Sequence, residues 1–554
     1  MRSLIDRIRK TTYTDANAII RELCGIVGFF SSEDEKAEFI SAHEMEAALV
    51  CEDRVSYGDW QTPAALAEKV CRNHCAKFGN PDVVIEPTCG LGSFVFSALK
   101  VFRDIKEIHA LEINRGYTTE LKFKLLSESL ARPLHKHPNI YIYNADFFDF
   151  DFSPIIERSR ENNWNTAVIG NPPWVTNSQQ GKSSSLNLPA KSNAYGFRGI
   201  DAITGKSNFD ISEFITLQML KLSQANRGGI SLLLKNSVIR NILTKQKAEK
   251  ISIGNIEQKS IDASSEFNVS VDASCFSARF DCTPSLVCSV WDFYTDSYVR
   301  EYGWVNDSFV ADTELYGNYS KYDNVSAYTW RSGIKHDCSA VLELTLTDGS
   351  YVNGFGETVL IESDIIYPLL KSSDINKYDG SDCRKFLITP QRKVGEDTSA
   401  LQYSHPLAYS YLLKHLDVFT RRKSSIYKGK DRFSIFGVGD YTFKPYKIVV
   451  SSLYKTVTFK LISEYEGKPV VVDDTCYQLA FDTIEEAKYV YDALNSREIQ
   501  SLLQSLVFHD AKRVVTKSLL MRLDLTQFCK DNGRELPDTG NCESAGNLCR
   551  CARD

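Results

Sequence analysis

The stretch "VIGNPPW" (168–174) ends an apolar run on an amide, two prolines and a large aromatic. Each proline fixes its own φ, lacks an N–H and restricts the residue before it. The pair is therefore stiff and extended, unable to continue a helix or join the middle of a sheet, and it mounts Asn171 and Trp174 on a rigid support. In "EPTCGLGSF" (86–94), Gly90 and Gly92 allow a tight turn and close backbone approach to a ligand. Taken alone, such a turn fits a plain strand-to-helix connection equally well. Glu112 in "ALEIN" lies about twenty residues further on, a spacing that suits a carboxylate accepting both hydroxyls of a ribose. In "NADFF" (144–148), Asp146 could accept from an adenine amino group and Phe147 could cover the ring. Singly, each acid could be a cap or a surface carboxylate. Four such groups at successive strand ends form a pattern.

The elements needed to position them are legible as alternating strand-like and helix-like runs from about 60 to 290. "DVVIEP" (82–87), "EIHALEI" (107–113), "NIYIYNAD" (139–146) and "NTAVIGN" (165–171) read as short strands, and "GGISLLLKNS" (228–237) as a further one. "FVFSALKVF" (94–102), "GYTTELKFKLLSESL" (116–130) and "FDISEFITLQMLKLSQA" (209–225) have helical spacing. This alternation predicts an α/β fold with a mostly parallel, doubly wound sheet, in which ligands bind at the carboxyl ends of the strands. Residues 1–50 read as a helical extension, with "TDANAIIRELCGIVGFF" as one element behind a Thr or Asp cap. The alternation stops near 300. Beyond it lie short β-like runs, then helices over 484–522, and a polar tail from about 531. The expected organisation is 1–50 helical extension, 51–300 catalytic domain, 301–530 mixed α+β recognition domain and 531–554 tail. The patternless stretch 175–207, rich in Ser, Asn, Gly and Lys, is of a length usually reserved for functional loops.

Composition narrows the class. The 554 residues, 43% hydrophobic and 25% charged, suit a globular chain of two or three domains. No apolar run approaches a bilayer span and no leader is evident, so a cytoplasmic protein without membrane contact is expected. The fifteen cysteines are scattered, as for reduced thiols, and the close pairs Cys71/Cys75 and Cys549/Cys551 lack a second ligand pair, so no metal is expected. The net charge is −6, yet residues 384–460 hold 15 Lys or Arg against 5 Asp or Glu. Interleaved with Tyr427, Phe433, Phe436, Tyr441, Phe443, Tyr446 and Tyr454, that excess reads as a face for phosphates.

With these motifs in order, the chain resembles the S-adenosylmethionine-dependent DNA amino-methyltransferases, specifically those modifying N6 of adenine. The family signature, Asn/Asp/Ser-Pro-Pro-aromatic, is matched by Asn171, Pro172, Pro173 and Trp174. The order of parts is similar to the subgroup with cofactor motifs first and DNA recognition C-terminal, on a Rossmann-like methyltransferase domain. The resemblance implies that Thr62 of "DWQTP" touches the methionine moiety, that Glu86, Pro87, Gly90 and Gly92 form the methionine-side loop, that Glu112 and Ile113 meet the ribose, and that Asp146 and Phe147 meet the cofactor's adenine. Asn171 would serve cofactor and substrate sides alike. "FNVSVDAS" (267–274) looks like the family's Phe-x-x-Val stretch, which makes Phe267 a second aromatic around the target base. "SNFDISEF" (207–214), "YPLLKSSDI" (367–375) and "PYKIVVSSLYK" (445–455) resemble further family segments. Trp at the fourth clamp position, where Tyr or Phe is commoner, blurs adenine against cytosine.

On that resemblance the chemistry follows from the clamp. The Asn171 side-chain oxygen and the Pro172 carbonyl would accept from an exocyclic amine, freeing its lone pair for the sulfonium methyl, with the prolines holding both acceptors beforehand. The base would be rotated out of the duplex onto Trp174 and Phe267. Expected partners are double-stranded DNA and a separately encoded restriction endonuclease, with the chain monomeric or weakly dimeric in a bacterial, nucleoid-associated setting. The alternatives are N4-cytosine methylation and protein glutamine methylation. A fused nuclease, for which "EDEK" (33–36) lacks an upstream Asp, and an inactive DNA-binding relic complete the set.

Overall fold

A computed structural model describes residues 2–44, 61–131, 137–175, 210–510 and 513–536. The described residues fall into two compact units that divide between Phe309 and Val310. The loop expectation at 175–207 lies almost wholly outside the described residues, as do the 207–209 end of "SNFDISEF" and most of the tail.

The first unit is built on a ten-stranded sheet. Its strands are β1 (Val83–Glu86), β2 (Glu107–Glu112), β3 (Asn139–Asn144), β4 (Asn165–Gly170), β5 (Arg227–Lys235), β6 (Gly254–Ile261), β7 (Ala273–Arg279), β8 (Val287–Asp292), β9 (Tyr298–Val305) and β10 (Ser308–Val310). Their order is β10-β9-β8-β6-β7-β5-β4-β1-β2-β3. Strands β3, β2, β1, β4 and β5 are mutually parallel, whereas β7 runs antiparallel to both β5 and β6. This is a mostly parallel, Rossmann-like sheet in which β7 is reversed, as is β9, which runs antiparallel to β8. All four residues of β1 and all six of β4 are buried, as in a parallel sheet covered on both faces. From β1 the chain winds towards β2 and β3, and from β4 it winds the other way to β5. The crevice at the carboxyl ends of β1 and β4 is therefore the topological switch point where ligands bind.

Helices in the first unit are α1 (Arg2–Arg9), α2 (Tyr13–Cys24), α3 (Glu33–Glu44), α4 (Ala64–Phe78), α5 (Ser93–Val101), α6 (Arg115–Ala131), α7 (Ser153–Glu161), α8 (Ile211–Ser223), α9 (Asn236–Glu249) and α10 (Ala263–Phe267). Helix α2 starts behind Thr12, whose side chain accepts from Asp15 N–H, and stops at Gly25, whose φ of 78° only glycine adopts cheaply. The expected single element over 14–30 is thus cut at Gly25. Beyond it, the segment bonds along the edge strand: Ile140 N–H donates to Gly25 O at 2.9 Å and Val27 N–H to Ile140 O at 2.8 Å. Leu4, Ile8, Ile20, Phe29 and Phe39 share one apolar cluster with Leu121, Leu125 and Ile140, so α1–α3 are part of the first unit's core.

The second unit is mixed α+β. One sheet, β11-β19-β16-β17, comprises β11 (Arg331–Ser332), β16 (Tyr446–Ser451), β17 (Phe459–Ile462) and β19 (Cys476–Phe481). The other, β13-β12-β15-β14-β18, comprises β12 (Glu343–Thr347), β13 (Ser350–Val352), β14 (Ile366–Leu370), β15 (Lys385–Ile388) and β18 (Val471–Val472). The two segments "YPLLKSSDI" and "PYKIVVSSLYK" meet where the sheets approach, with Ser372 Oγ 2.5 Å from Ser451 Oγ. Among the described residues no helix is long and apolar enough to cross a membrane.

Candidate active site

The carboxyl ends of β1, β2, β3 and β4 converge, and hydrogen bonds lace one to the next. After β1 the chain turns through Gly90 (φ 53°) and Gly92 (φ 85°) before α5. A Cβ on Gly92 would lie 2.3 Å from the Leu121 side chain, so the turn needs glycine for both φ and space. Glu112, closing β2, accepts from Gly90 N–H through Oε2 and from Asn114 N–H through Oε1, each at 2.8 Å. A carboxylate offers about four acceptor sites, so such bonds are compatible with hydroxyls on the same group. The end of β3 is tied to β2 by Asn144 Nδ2, which donates to Glu112 O and Ile113 O at 3.0 and 2.9 Å. Ile113 is 44% exposed beside this junction.

Asp146 and Phe147 follow β3, both half-buried. Asp146 Oδ1 accepts from Phe148 N–H at 3.0 Å, and burial raises its carboxyl pKa against that bond. The Phe147 ring packs 5.5 Å from Phe152. Gln61 and Thr62 lie across the glycine turn: Leu91 N–H donates to Gln61 Oε1 at 3.1 Å and Ser93 Oγ to Thr62 O at 2.7 Å. Thr62 also reaches the fourth strand, accepting from Asn171 Nδ2 at 3.2 Å. Gly170, immediately before Asn171, sits against Glu86 Cγ and Pro87 Cδ, 3.5 and 3.7 Å from where its Cβ would be. Thr62, Glu86, Pro87, Gly90, Gly92, Glu112 and Asn171 are therefore gathered at one crevice.

Glu86 is buried, and its Oε2 has no hydrogen-bond partner among the described residues. Burial, reinforced by nearby Glu112, pushes its carboxyl well above the ordinary range, against the Val95 backbone N–H. A buried acid with an idle oxygen is costly unless something completes it. A cationic amino-acid tail would, which is one physical test passed by the cofactor that the resemblance implies. The glycine turn and the carboxylate at the end of β2 pass the corresponding tests for backbone approach and a ribose.

The clamp itself leaves β4 with Pro172 buried and Pro173 half-buried. Trp174 is buried, and its Nε1 donates to Leu233 O of β5 at 3.1 Å. Lys235, at the end of β5, donates to Trp174 O at 3.3 Å and is ion-paired with Asp210, the side chain that caps α8. Phe267 closes the short helix α10, and its ring meets Trp174 edge to face, with centroids 5.2 Å apart and an interplanar angle of 73°. The structure thus brings the two aromatics together but leaves no base-wide slot between them. They cover one another.

Several supporting residues escaped the sequence reading. Gln61 stands beside the noticed Thr62, Asn114 and Asn144 lie in the quoted "EIN" and "NAD", and Lys235 with Asp210 pairs across an interval no local pattern spans. Cys71 is buried and Cys75 half-buried in α4, and among the described residues no three His, Cys, Asp or Glu groups are placed to hold a metal ion.

No protein-family model matches the chain. It is 39% identical over 481 residues to the type II methyltransferase M.NspV of Nostoc sp., covering 86% of this chain and 98% of that one. Among solved structures, the type IIL restriction-modification enzyme MmeI in complex with DNA aligns over 92% of this chain and 67% of its own, at 11% identity and a TM-score of 0.49. The type IIG restriction endonuclease BpuSI aligns over 88% and 60%, at 15% identity and a TM-score of 0.34.

Proposed function

We propose a reaction from one premise: this chain belongs to the type II DNA methyltransferases of restriction-modification systems. The reaction is transfer of a methyl group from S-adenosylmethionine to the exocyclic N6 of an adenine rotated out of duplex DNA. When bound, S-adenosylmethionine supplies an electrophilic methyl on a sulfonium. Glu86 and the Gly90–Gly92 turn take its amino-acid end, with Thr62 alongside. Glu112 and Ile113 take the ribose, and Asp146 and Phe147 the adenine.

The observation that carries the reading is the clamp Asn171–Trp174 at the switch point, joined through Thr62 to the glycine turn. Asn171 and the Pro172 carbonyl accept from the target amine and draw its nitrogen towards a tetrahedral arrangement. Its lone pair becomes the nucleophile, so no covalent enzyme intermediate is needed. The two prolines fix both acceptors before substrate arrives, and fixed acceptors cost no reorganisation at the transition state. Trp174 and Phe267 take the extruded ring between them once they part, and a purine offers them more face than a pyrimidine. Adenine is therefore preferred to cytosine at N4. The second unit, 310–536, reads the duplex.

The test is methyl transfer to plasmid DNA, with each modified base located by sequencing. N6-methyladenine at a fixed site is expected, and N4-methylcytosine there would overturn the choice of base. Asn171→Ala should lower kcat by at least about 10²–10³, as removal of one preorganised transition-state interaction does, while DNA binding stays near wild type.

A further inference from the structure

The excess of basic residues over 384–460 is not one uniform face. Five of its fifteen cations are engaged by carboxylates: Arg384 by Asp382, Lys385 by Asp374, Lys414 by Glu357, Arg421 by Asp417 and Lys444 by Asp482. Lys447 is buried. Arg422 is used internally, and how it is used marks out the remainder. Its guanidinium donates to Ser434 O at 2.7 Å, to Arg432 O at 2.9 Å, to Phe419 O at 3.2 Å and to His336 O at 3.4 Å. The Tyr427 ring lies 3.8 Å from its central carbon and packs in turn on Phe436 at 5.5 Å.

These bonds tie the two ends of the segment 422–434 and fold Tyr427 back onto the tie. Within that segment the outward cations are Lys423, Lys428, Lys430 and Arg432, all exposed. No carboxylate lies within 4.0 Å of them among the described residues. The one acid of the loop, Asp431, accepts from Thr398 N–H at 3.1 Å. A guanidinium fork holding four carbonyls is a rigid device that an ammonium cannot copy. The loop presents four unpaired cations on a preformed frame, and holding them costs little further ordering on binding.

We propose that the loop 423–432, closed by Arg422, is a prebuilt phosphate-binding arm of the second unit that grips the sugar–phosphate backbone of duplex DNA without reading sequence. This rests on the function proposed above and assigns within it. Arg422 and Tyr427 position the arm, and the four outward cations meet the phosphates.

Salt dependence tests it. Binding of a 30-base-pair duplex of arbitrary sequence is followed by fluorescence anisotropy between 50 and 200 mM salt. Every phosphate that a cation no longer neutralises takes about 0.9 off the slope of log K against log salt, so Lys423→Ala, Lys428→Ala, Lys430→Ala and Arg432→Ala together should flatten it by about 3.6. Over that fourfold range the wild type should then lose about 150-fold more affinity than the quadruple variant. Lys414→Ala with Lys444→Ala, whose cations already face carboxylates, should leave the slope unchanged. Arg422→Lys keeps the charge and loses the fork: affinity should fall at 50 mM with the slope retained, and trypsin should cut within 423–432 faster. A fourfold Arg or Lys exchange at the outward positions should restore the wild-type slope, which separates charge from misfolding. A quadruple variant with the wild-type slope, in a protein that methylates DNA, would overturn the arm and leave the function standing. A wild type that neither binds nor methylates duplex DNA would overturn both.

Discussion

Replacing Phe267 by alanine should cost less activity than its place in the site first implies, and the reason is its edge-to-face packing on Trp174 at 5.2 Å. Stacking of a base on an aromatic ring contributes about 1–3 kcal/mol. An edge-to-face aromatic pair contributes about 0.5–1.5 kcal/mol beyond its buried area. The wild type must give up the second to gain the first, because the rings cover one another before a base arrives. Taking midpoints, about 2 kcal/mol from stacking less about 1 kcal/mol for parting the pair leaves about 1 kcal/mol for Phe267. At 1.36 kcal/mol per decade that is a fall of about fivefold in kcat/KM. An open, preformed slot would instead give the full stacking term, about thirtyfold at its midpoint. Single-turnover transfer of labelled methyl to DNA, with enzyme in excess, measures the difference. Phe267→Leu should fall between wild type and Phe267→Ala. A loss of thirtyfold or more in Phe267→Ala, with cofactor affinity unchanged, would refute the closed pair. No loss at all would remove Phe267 from the site.

Three further outcomes are expected. Glu112→Gln should weaken S-adenosylmethionine binding about 10- to 150-fold, the equivalent of one charged hydrogen bond, and leave DNA affinity unchanged; calorimetric titration of each ligand separates the two. Gly92→Ala forces a side chain into the left-handed region and onto Leu121, so it should destabilise the fold by about 2–5 kcal/mol and raise the KM for the cofactor, read by denaturant unfolding and steady-state kinetics. Lys447, buried in β16 with Nζ donating to Lys444 O, is pushed down to about 7 by burial, against the pull of Glu464. Above that value the unfolded chain binds a proton that the folded one does not, so stability should rise with pH from about 7 towards 10. Lys447→Met should flatten that rise and stabilise most near pH 6, and identical pH profiles of the thermal midpoint would refute it.

The strands around the crevice were legible because burial on both faces leaves short runs rich in apolar and β-branched residues: β1, β2, β4 and β5 each lie within the expected stretch or one residue outside it. The place of the two prolines just past β4 was legible because they can neither continue a helix nor join the middle of a sheet. What was not legible depends on distant partners. The ring of Trp174 turned onto Phe267 is set by the Leu233 carbonyl and by α10, neither of which any local pattern connects to residue 174. Likewise Arg422 and Tyr427 count as basic and aromatic in the sequence, yet they spend both properties inside the loop. The antiparallel strands β7, β9 and their neighbours carried no crossover helices to mark them, and so the sheet runs on to Val310, past the point where alternation stops.

The segment after α2 has no part in the chemistry, but it meets a hazard that the sheet creates. Strand β3 is the last in the order, and its outer row of N–H and C=O groups is a template on which another chain could pair. Gly25 and Val27 occupy that row at Ile140, and Phe29 and Phe30 of the same segment, with Phe39 of α3, enter the core beside it. A chain shortened to begin at Gln61 would keep every group of the crevice and uncover both the strand edge and the apolar patch. Such a chain should self-associate through its sheets.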